Sequence, residues 1–173
     1  MSFRREVVVR IDGGGDAAGI ARRLADALVE LNIVVDRRGP DLPYEPGPAA
    51  ATVLEPGVQW ADHEDNGVKI HTEPSMYHSF SNWARPNCDR CGARVGTDAV
   101  KAAFDTWLGA TEPALSCQEC GWSAPIGNWP APWPFAFGAP AVAFENWPPL
   151  DPQFLGEVRE ALGGRTRVIR TFL

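Results

Sequence analysis

The sequence predicts an α+β fold, a ferredoxin-like βαβ…βαβ sandwich interrupted by a long insertion that carries a four-cysteine module. Three observations support this fold class. A strand–helix–strand pattern occupies residues 1–38, a second one occupies residues 139–173, and two Cys-x-x-Cys pairs lie between them. In a ferredoxin-like sandwich, the two helices of such units cover one face of a four-stranded sheet. We therefore expect residues 1–38 and 139–173 to form the two halves of the sandwich.

The first unit begins with a β-branched run at residues 6–11, which predicts a strand. Asp16 is the candidate N-cap of a helix over residues 17–31, and residues 33–35 predict a second short strand. Apolar residues recur at helical spacing in this helix, at Ile20, Leu24, Leu28 and Leu31. The spacing predicts an amphipathic helix that packs on a sheet.

The second unit repeats this order. Residues 141–144 predict a strand, Asp151 and Pro152 predict the start of a helix, and residues 165–173 predict a final strand. The apolar positions of this helix are Phe154, Leu155, Val158 and Leu162, and two glycines follow it.

An acidic insertion occupies residues 39–82, where seven acidic side chains accompany a single basic one, Lys69. We expect a proline-rich loop there, followed by a β-hairpin. Residues 58–61 and 68–71 would be its strands, and Asp-Asn-Gly at 65–67 would end its turn.

The four cysteines form two Cys-x-x-Cys-Gly motifs, at Cys88 and Cys91 and at Cys117 and Cys120. A two-residue gap lets a tight turn direct two thiolates to one ion, and two such turns provide the four corners that zinc prefers. The sequence therefore predicts one structural zinc, within a module over residues 83–138 that ends in a Trp- and Pro-rich extension.

These motifs, over about residues 85–124, resemble the zinc knuckles of the zinc-ribbon and rubredoxin-like group. The resemblance implies metal binding without a particular function, and iron is an alternative to zinc because its ligand set is the same. Two disulfides or a redox-active Cys-x-x-Cys are further alternatives. The sequence departs from a plain ribbon because Val100, Phe104 and Leu108 predict a short helix after the first motif.

The amino-terminal residues and the apolar stretches of the sequence indicate where the protein is located. The amino-terminal residues lack the apolar core of a signal peptide, and no apolar stretch approaches the length of a membrane span. We expect a cytoplasmic protein, and the 14 arginines against two lysines suggest a GC-rich bacterial source.

Weaker patterns indicate other sites. Gly13, Gly15 and Ala18, with Asp36 further on, partly match a dinucleotide-binding fingerprint, although a turn capped by Asp16 is the simpler interpretation. The three histidines, His63, His71 and His78, lie among carboxylates but match no zinc-hydrolase motif.

The function expected from these residues is a non-enzymatic interaction or scaffold role, with a protein partner and a structural zinc. One alternative is a small metal-dependent hydrolase using His71 and His78. The other is a nucleic-acid-associated protein, for which a basic face would be needed. Its candidate residues are Arg4, Arg10, Arg165, Arg167 and Arg170. The chain's net charge of −6 does not favour nucleic acid. No catalytic residue is predicted, and the oligomeric state stays open.

Overall fold

A computed structural model describes residues 3–12, 15–36, 44–60, 65–79, 84–107, 112–130 and 134–172. This part of the chain has a mixed α+β fold with three helices and antiparallel sheets. The helices are α1 (Ala17–Glu30), α2 (Thr97–Trp107) and α3 (Pro152–Leu162). The strands are β1 (Arg4–Arg10), β2 (Val34–Asp36), β3 (Tyr44–Pro46), β4 (Gly67–His71), β5 (Ser75–His78), β6 (Ala114–Ser116), β7 (Ser123–Pro125), β8 (Phe135–Gly138), β9 (Ala141–Glu145) and β10 (Thr166–Phe172).

The main sheet has six antiparallel strands in the order β10-β1-β9-β4-β3-β2. Strand β1 is paired on both sides, so that Val8 lies opposite Val168 of β10 and Val142 of β9. The strands predicted at both ends of the chain are therefore confirmed. The sheet differs from the four-stranded sheet of a ferredoxin-like sandwich, because β4 and β3 lie between β9 and β2.

The expected hairpin of residues 58–61 with 68–71 is not formed in the described residues. Residues 58–60 are not in a strand, and β4 pairs instead with β9 and β3. Trp60 packs edge-on against Trp147, with ring centroids 5.0 Å apart. The hairpin prediction was wrong because this indole is partly buried against the helical side of the core, which holds residues 58–60 there.

Helices α1 and α3 pack on one face of the main sheet, as the amphipathic patterns predict. Leu24 and Leu28 of α1 and Leu162 of α3 share one apolar core with Val8 and Val142 of the sheet. Both predicted N-caps are confirmed. The Asp16 carboxylate accepts a 2.8 Å hydrogen bond from the N–H of Gly19, and the Asp151 carboxylate accepts one of 2.6 Å from the N–H of Gln153.

The opposite face of the sheet is covered by a two-stranded ribbon of β5 and β8. Tyr77 and Ala136 of the ribbon are buried against Val7, Val9 and Ala143 of the sheet. The sheet thus lies between two helices on one side and this ribbon on the other. Within the described ranges, no helix is long and apolar enough to cross a bilayer.

Candidate metal centre

The two cysteine motifs fold into equivalent backbone turns. In the first turn, the N–H of Gly92 donates to the Cys88 carbonyl oxygen at 2.8 Å, and Gly92 has φ +74°. In the second turn, the N–H of Gly121 donates to the Cys117 carbonyl oxygen at 3.0 Å, and Gly121 has φ +71°. A left-handed backbone of this kind favours glycine, which explains the glycine after each Cys-x-x-Cys pair.

Different elements carry the two turns. The first lies just before α2, and the second is the loop between β6 and β7. Gln118 joins them, because its side-chain oxygen accepts from the Gly96 N–H at 2.9 Å while its amide donates to the Ser116 carbonyl oxygen at 2.6 Å. Gln118 was not a predicted site residue, since only its place inside the second motif distinguishes it in the sequence.

The four sulfur atoms converge on one point. The Sγ atoms of Cys88 and Cys120 are 3.6 Å apart, as are those of Cys91 and Cys117. All four atoms lie within 4.8 Å of one another. Zinc–sulfur bonds of about 2.3 Å in a tetrahedron place the sulfurs about 3.8 Å apart, so the spacing fits such an ion. Iron fits equally well, because its four-thiolate site has the same ligands.

None of the four cysteines is in a disulfide bond. A disulfide would need two sulfurs at about 2.05 Å, which is much shorter than the separations between the two turns. The four ligands predicted from the sequence are therefore brought together in an arrangement suited to a metal ion.

Backbone donors around Cys88 favour its thiolate. Burial acts to raise the pKa of Cys88, but hydrogen bonds from the backbone N–H groups of Arg90 and Cys91 and contacts with the thiols of Cys120 and Cys117 outweigh it. Together they lower the pKa of Cys88 to about 7.

Cys91 shows the opposite shift. A hydrogen bond from the backbone N–H of Ala93 acts to lower its pKa, but partial desolvation of the sulfur by its neighbours and contacts with the other three thiols outweigh this and raise the pKa to about 12. Four thiolates this close repel one another unless a cation lies among them. A cation among the sulfurs would remove this repulsion, as expected for a metal site.

An apolar core supports the sulfurs. Cys88 and Cys117 are buried, whereas Cys91 and Cys120 are exposed. Leu115 and Ile126 are fully buried beneath them, and Trp129 donates its indole N–H to the Ala124 carbonyl oxygen at 3.2 Å. Part of the Trp- and Pro-rich extension thus packs in the core of the metal module, whereas Trp133 lies outside the described residues.

The module is attached to the main sheet through the edge strand β10. The Arg167 guanidinium donates hydrogen bonds to the carbonyl oxygens of Gly127 at 2.7 Å and of Trp129 at 2.8 Å. Arg165 bonds to the Asn128 side chain beside them. Burial lowers the pKa of Arg167, which indicates how far its guanidinium is withdrawn from water.

Neither His71 nor His78, predicted as an alternative site, joins the cysteine cluster as a further candidate metal ligand. His71 ends β4 with its ring 5.8 Å from that of Tyr77, and His78 of β5 stacks on Phe135 at 5.8 Å. His63 lies outside the described residues. Among those that the structure describes, the cysteines are the only group of three or more His, Cys, Asp or Glu side chains placed to share a metal ion.

A buried polar cluster near His71 was not predicted from the sequence. Arg5 of β1 and Glu145 of β9 form a salt bridge at 3.1 Å, and the Arg5 guanidinium lies 5.9 Å from the centre of the Tyr77 ring. Four buried atoms of this cluster make no hydrogen bond, namely Arg5 Nε, Glu145 Oε2, Tyr77 OH and His71 Nε2. Burial raises the pKa of Tyr77 to about 12.

The arginines considered for nucleic-acid binding do not share one face. By strand alternation, Arg4, Arg10 and Arg170 lie on the helical side of the sheet and Arg167 on the other. Arg10 forms a salt bridge with Asp12 at 2.6 Å, and Arg170 forms one with the buried Glu6.

The residues that partly match a dinucleotide-binding fingerprint do not form such a site. That fingerprint requires a parallel sheet, but β1 and β2 are separated by three strands of an antiparallel one. Gly13 lies outside the described residues.

Comparison with protein-family models, with curated proteins and with solved structures gives no match, so the metal centre is interpreted from its geometry alone.

Proposed function

We propose that the chain binds one structural zinc ion through Cys88, Cys91, Cys117 and Cys120 and acts as a non-enzymatic scaffold for a protein partner. The observation that carries the metal assignment is the convergence of four sulfur atoms within 4.8 Å of one another. The matching turns and the N–H donors at the sulfurs support it further.

A structural role for the ion follows from its ligand number. Four thiolates fill a tetrahedral zinc, so no coordination position is left for an activated water. Ions of this kind contribute to folding, because the ligands are not preassembled in the unfolded chain. Bound here, zinc would fix the turn before α2 to the β6–β7 loop.

The scaffold role is supported by how the module is built into the fold. Its core is continuous with β8, and β8 pairs with β5 on the face of the main sheet opposite the helices. Arg167 ties the same module to β10. An ion that stabilises the module would thus also stabilise the layer that covers the sheet, where a partner would need a fixed surface.

The metal assignment is tested on purified full-length protein. Elemental analysis should give about one zinc per chain, and removal with a strong chelator should lower the thermal midpoint reversibly. The Cys88→Ser variant should contain no zinc, and its thermal midpoint should be lowered as much as that of the chelator-treated protein. Asp89→Ala, an exposed change inside the same turn, should retain both. Protein that is fully folded without metal would contradict the structural role.

The scaffold role has a separate test. Affinity purification of the zinc-loaded protein should recover a protein partner that the Cys88→Ser variant recovers much less. Turnover of a substrate by the purified protein, retained after the Cys88→Ser change, would instead indicate an enzyme whose site lies away from the metal.

A further inference from the structure

Strand β10 is an open edge of the main sheet. Among the described strands it pairs only with β1. The N–H of Ile11 donates to the Arg165 carbonyl oxygen at 2.8 Å, which marks this pair as hydrogen-bonded. Because such pairs alternate along an antiparallel ladder, the backbone polar groups at three positions along the strand point away from β1. These positions are Thr166, Val168 and Arg170.

A groove runs beside this edge, between β10 and α3. It has a volume of about 290 Å³ and combines apolar side chains with two arginines. Its lining residues are Pro152, Leu155, Gly156, Arg159, Val168 and Arg170. Side chains of a strand added to β10 would alternate between this groove and the opposite side of the sheet.

Gly156 gives the groove an open wall. It lies within α3, where glycine is among the poorest helix formers. A Cβ atom built at Gly156 would have no heavy atom within 4 Å, so packing inside the chain does not require glycine here. Glycine at position 156 would be accounted for if another backbone approached α3 closely at this point.

The charge beside the edge indicates the kind of segment that fits. The groove is lined by two positive side chains, Arg159 and Arg170, and by no negative one. Residues 163–172 contain three arginines and no carboxylate, although the chain as a whole carries −6. Arg170 is bonded to Glu6. Arg159 donates to the Thr166 hydroxyl at 2.9 Å, and no carboxylate in the part of the chain that the structure describes forms a salt bridge with it.

We propose that the free edge of β10 and the adjoining groove bind an extended acidic segment of a partner protein as an added strand. Main-chain hydrogen bonds to the three outward positions would hold the segment, and the side chains on its groove-facing side would be both apolar ones that enter the groove and carboxylates that meet Arg159. This proposal rests on the scaffold role and names the surface and partner class for it. A second copy of the chain fits less well, because its own basic edge would face this one.

The probe for the experiment is an acetylated, fluorescein-labelled octapeptide in which every second residue is threonine and the positions between them are glutamate and valine in turn, so that glutamate and valine share one face of the strand. Its binding to the zinc-loaded full chain is measured by fluorescence anisotropy. We expect saturable binding that weakens with added salt, and at least about tenfold weaker binding of the matching peptide with lysine in place of glutamate.

Three variants locate the site. Val168→Pro removes an outward N–H while the inner ladder to β1 keeps its bonds, so affinity should fall at least about tenfold. Arg159→Glu, a surface change that leaves the strand intact, should weaken binding to a similar degree. Arg23→Glu makes the same charge change on the exposed side of α1 and should alter the affinity by less than about twofold.

The proposal is overturned if the acidic peptide does not bind up to about 1 mM, or if Arg23→Glu weakens it as much as Arg159→Glu does. It is also overturned if sedimentation shows a dimer that Val168→Pro makes monomeric, which would assign the edge to a second copy. Zinc content is measured on the same samples. If the protein contains one zinc per chain but does not bind the peptide, only the edge proposal is rejected. If the purified protein contains no zinc, the proposed metal centre is rejected.

Discussion

Arg167 donates a hydrogen bond of 2.8 Å to the carbonyl oxygen of Trp129, 38 positions away along the chain. The indole of Trp129 is buried in the metal module, while Arg167 belongs to the edge strand of the main sheet. This pair, with the second bond from Arg167 to Gly127, therefore connects two layers of the molecule.

Arg167→Met should lower the free energy of unfolding by about 2 kcal/mol, because it leaves two carbonyl oxygens without their charged donor. Methionine retains much of the apolar stem, so little packing is lost. Urea denaturation of the zinc-loaded protein measures the change, with the exposed Arg23→Met as the control at less than about 0.5 kcal/mol. Equal stability of the two variants would show that the layers are held together elsewhere.

Gly138→Ala should destabilise the protein by more than about 3 kcal/mol, since a Cβ atom there would lie 2.0 Å from the Arg10 carbonyl oxygen. Neither backbone can move without disturbing β1 or β8. Gly156→Ala is the matched control and should stabilise the protein by about 0.5–1 kcal/mol, because its Cβ meets nothing and alanine favours a helix. Thermal unfolding of both variants measures the contrast, which an unchanged midpoint for Gly138→Ala would contradict.

The stability of the protein should fall as the pH drops below about 6.5, the pKa of a histidine in the unfolded chain. Burial, with smaller contributions from Arg5 and Lys69, lowers the pKa of His71, and burial with Arg5 lowers the pKa of His78. Below a pH of about 6.5 the unfolded chain therefore takes up protons that the folded chain does not, which favours unfolding. The two neutral histidines contribute fully to stability above this pH, and their contribution declines as the pH falls toward their lowered pKa values.

The double variant His71→Gln with His78→Gln should show a flatter pH dependence over this range. Burial raises the pKa of Glu145, so this carboxyl group acts in the opposite direction and mainly at lower pH. Urea denaturation at several pH values gives the slope, and the NMR titration of the His71 ring gives its pKa. A ring pKa at or above about 6.5 would refute the explanation.

The helices and strands near the two ends of the chain were predicted correctly because each depends on residues that lie close together in the sequence. Asp16 and Asp151 cap helices by bonding to N–H groups two or three residues away, and the spacing of Leu24 and Leu28 reports one buried face. The cysteine site was equally predictable, since each turn is set by five consecutive residues.

The sheet order was harder to predict, because strand partners depend on the whole chain. Residues 58–60 have the composition of a strand, yet the Trp60 ring packs against Trp147, 87 positions later. β3, which does join the sheet, is only three residues long and contains a proline that the sequence pattern disfavours. The Arg5–Glu145 pair and the contact of Arg167 with Trp129 likewise arise from packing between distant segments.

The pairing of β1 with β9 and β10 imposes an order of assembly on the growing chain. Both neighbours of β1 are synthesised about 130 or more residues after it, so β1 emerges long before it can be paired. Both cysteine turns are complete by Gly121, before either of these strands exists. A metal ion captured at that stage would organise the middle of the chain first, and the last two strands would then close the sheet around β1.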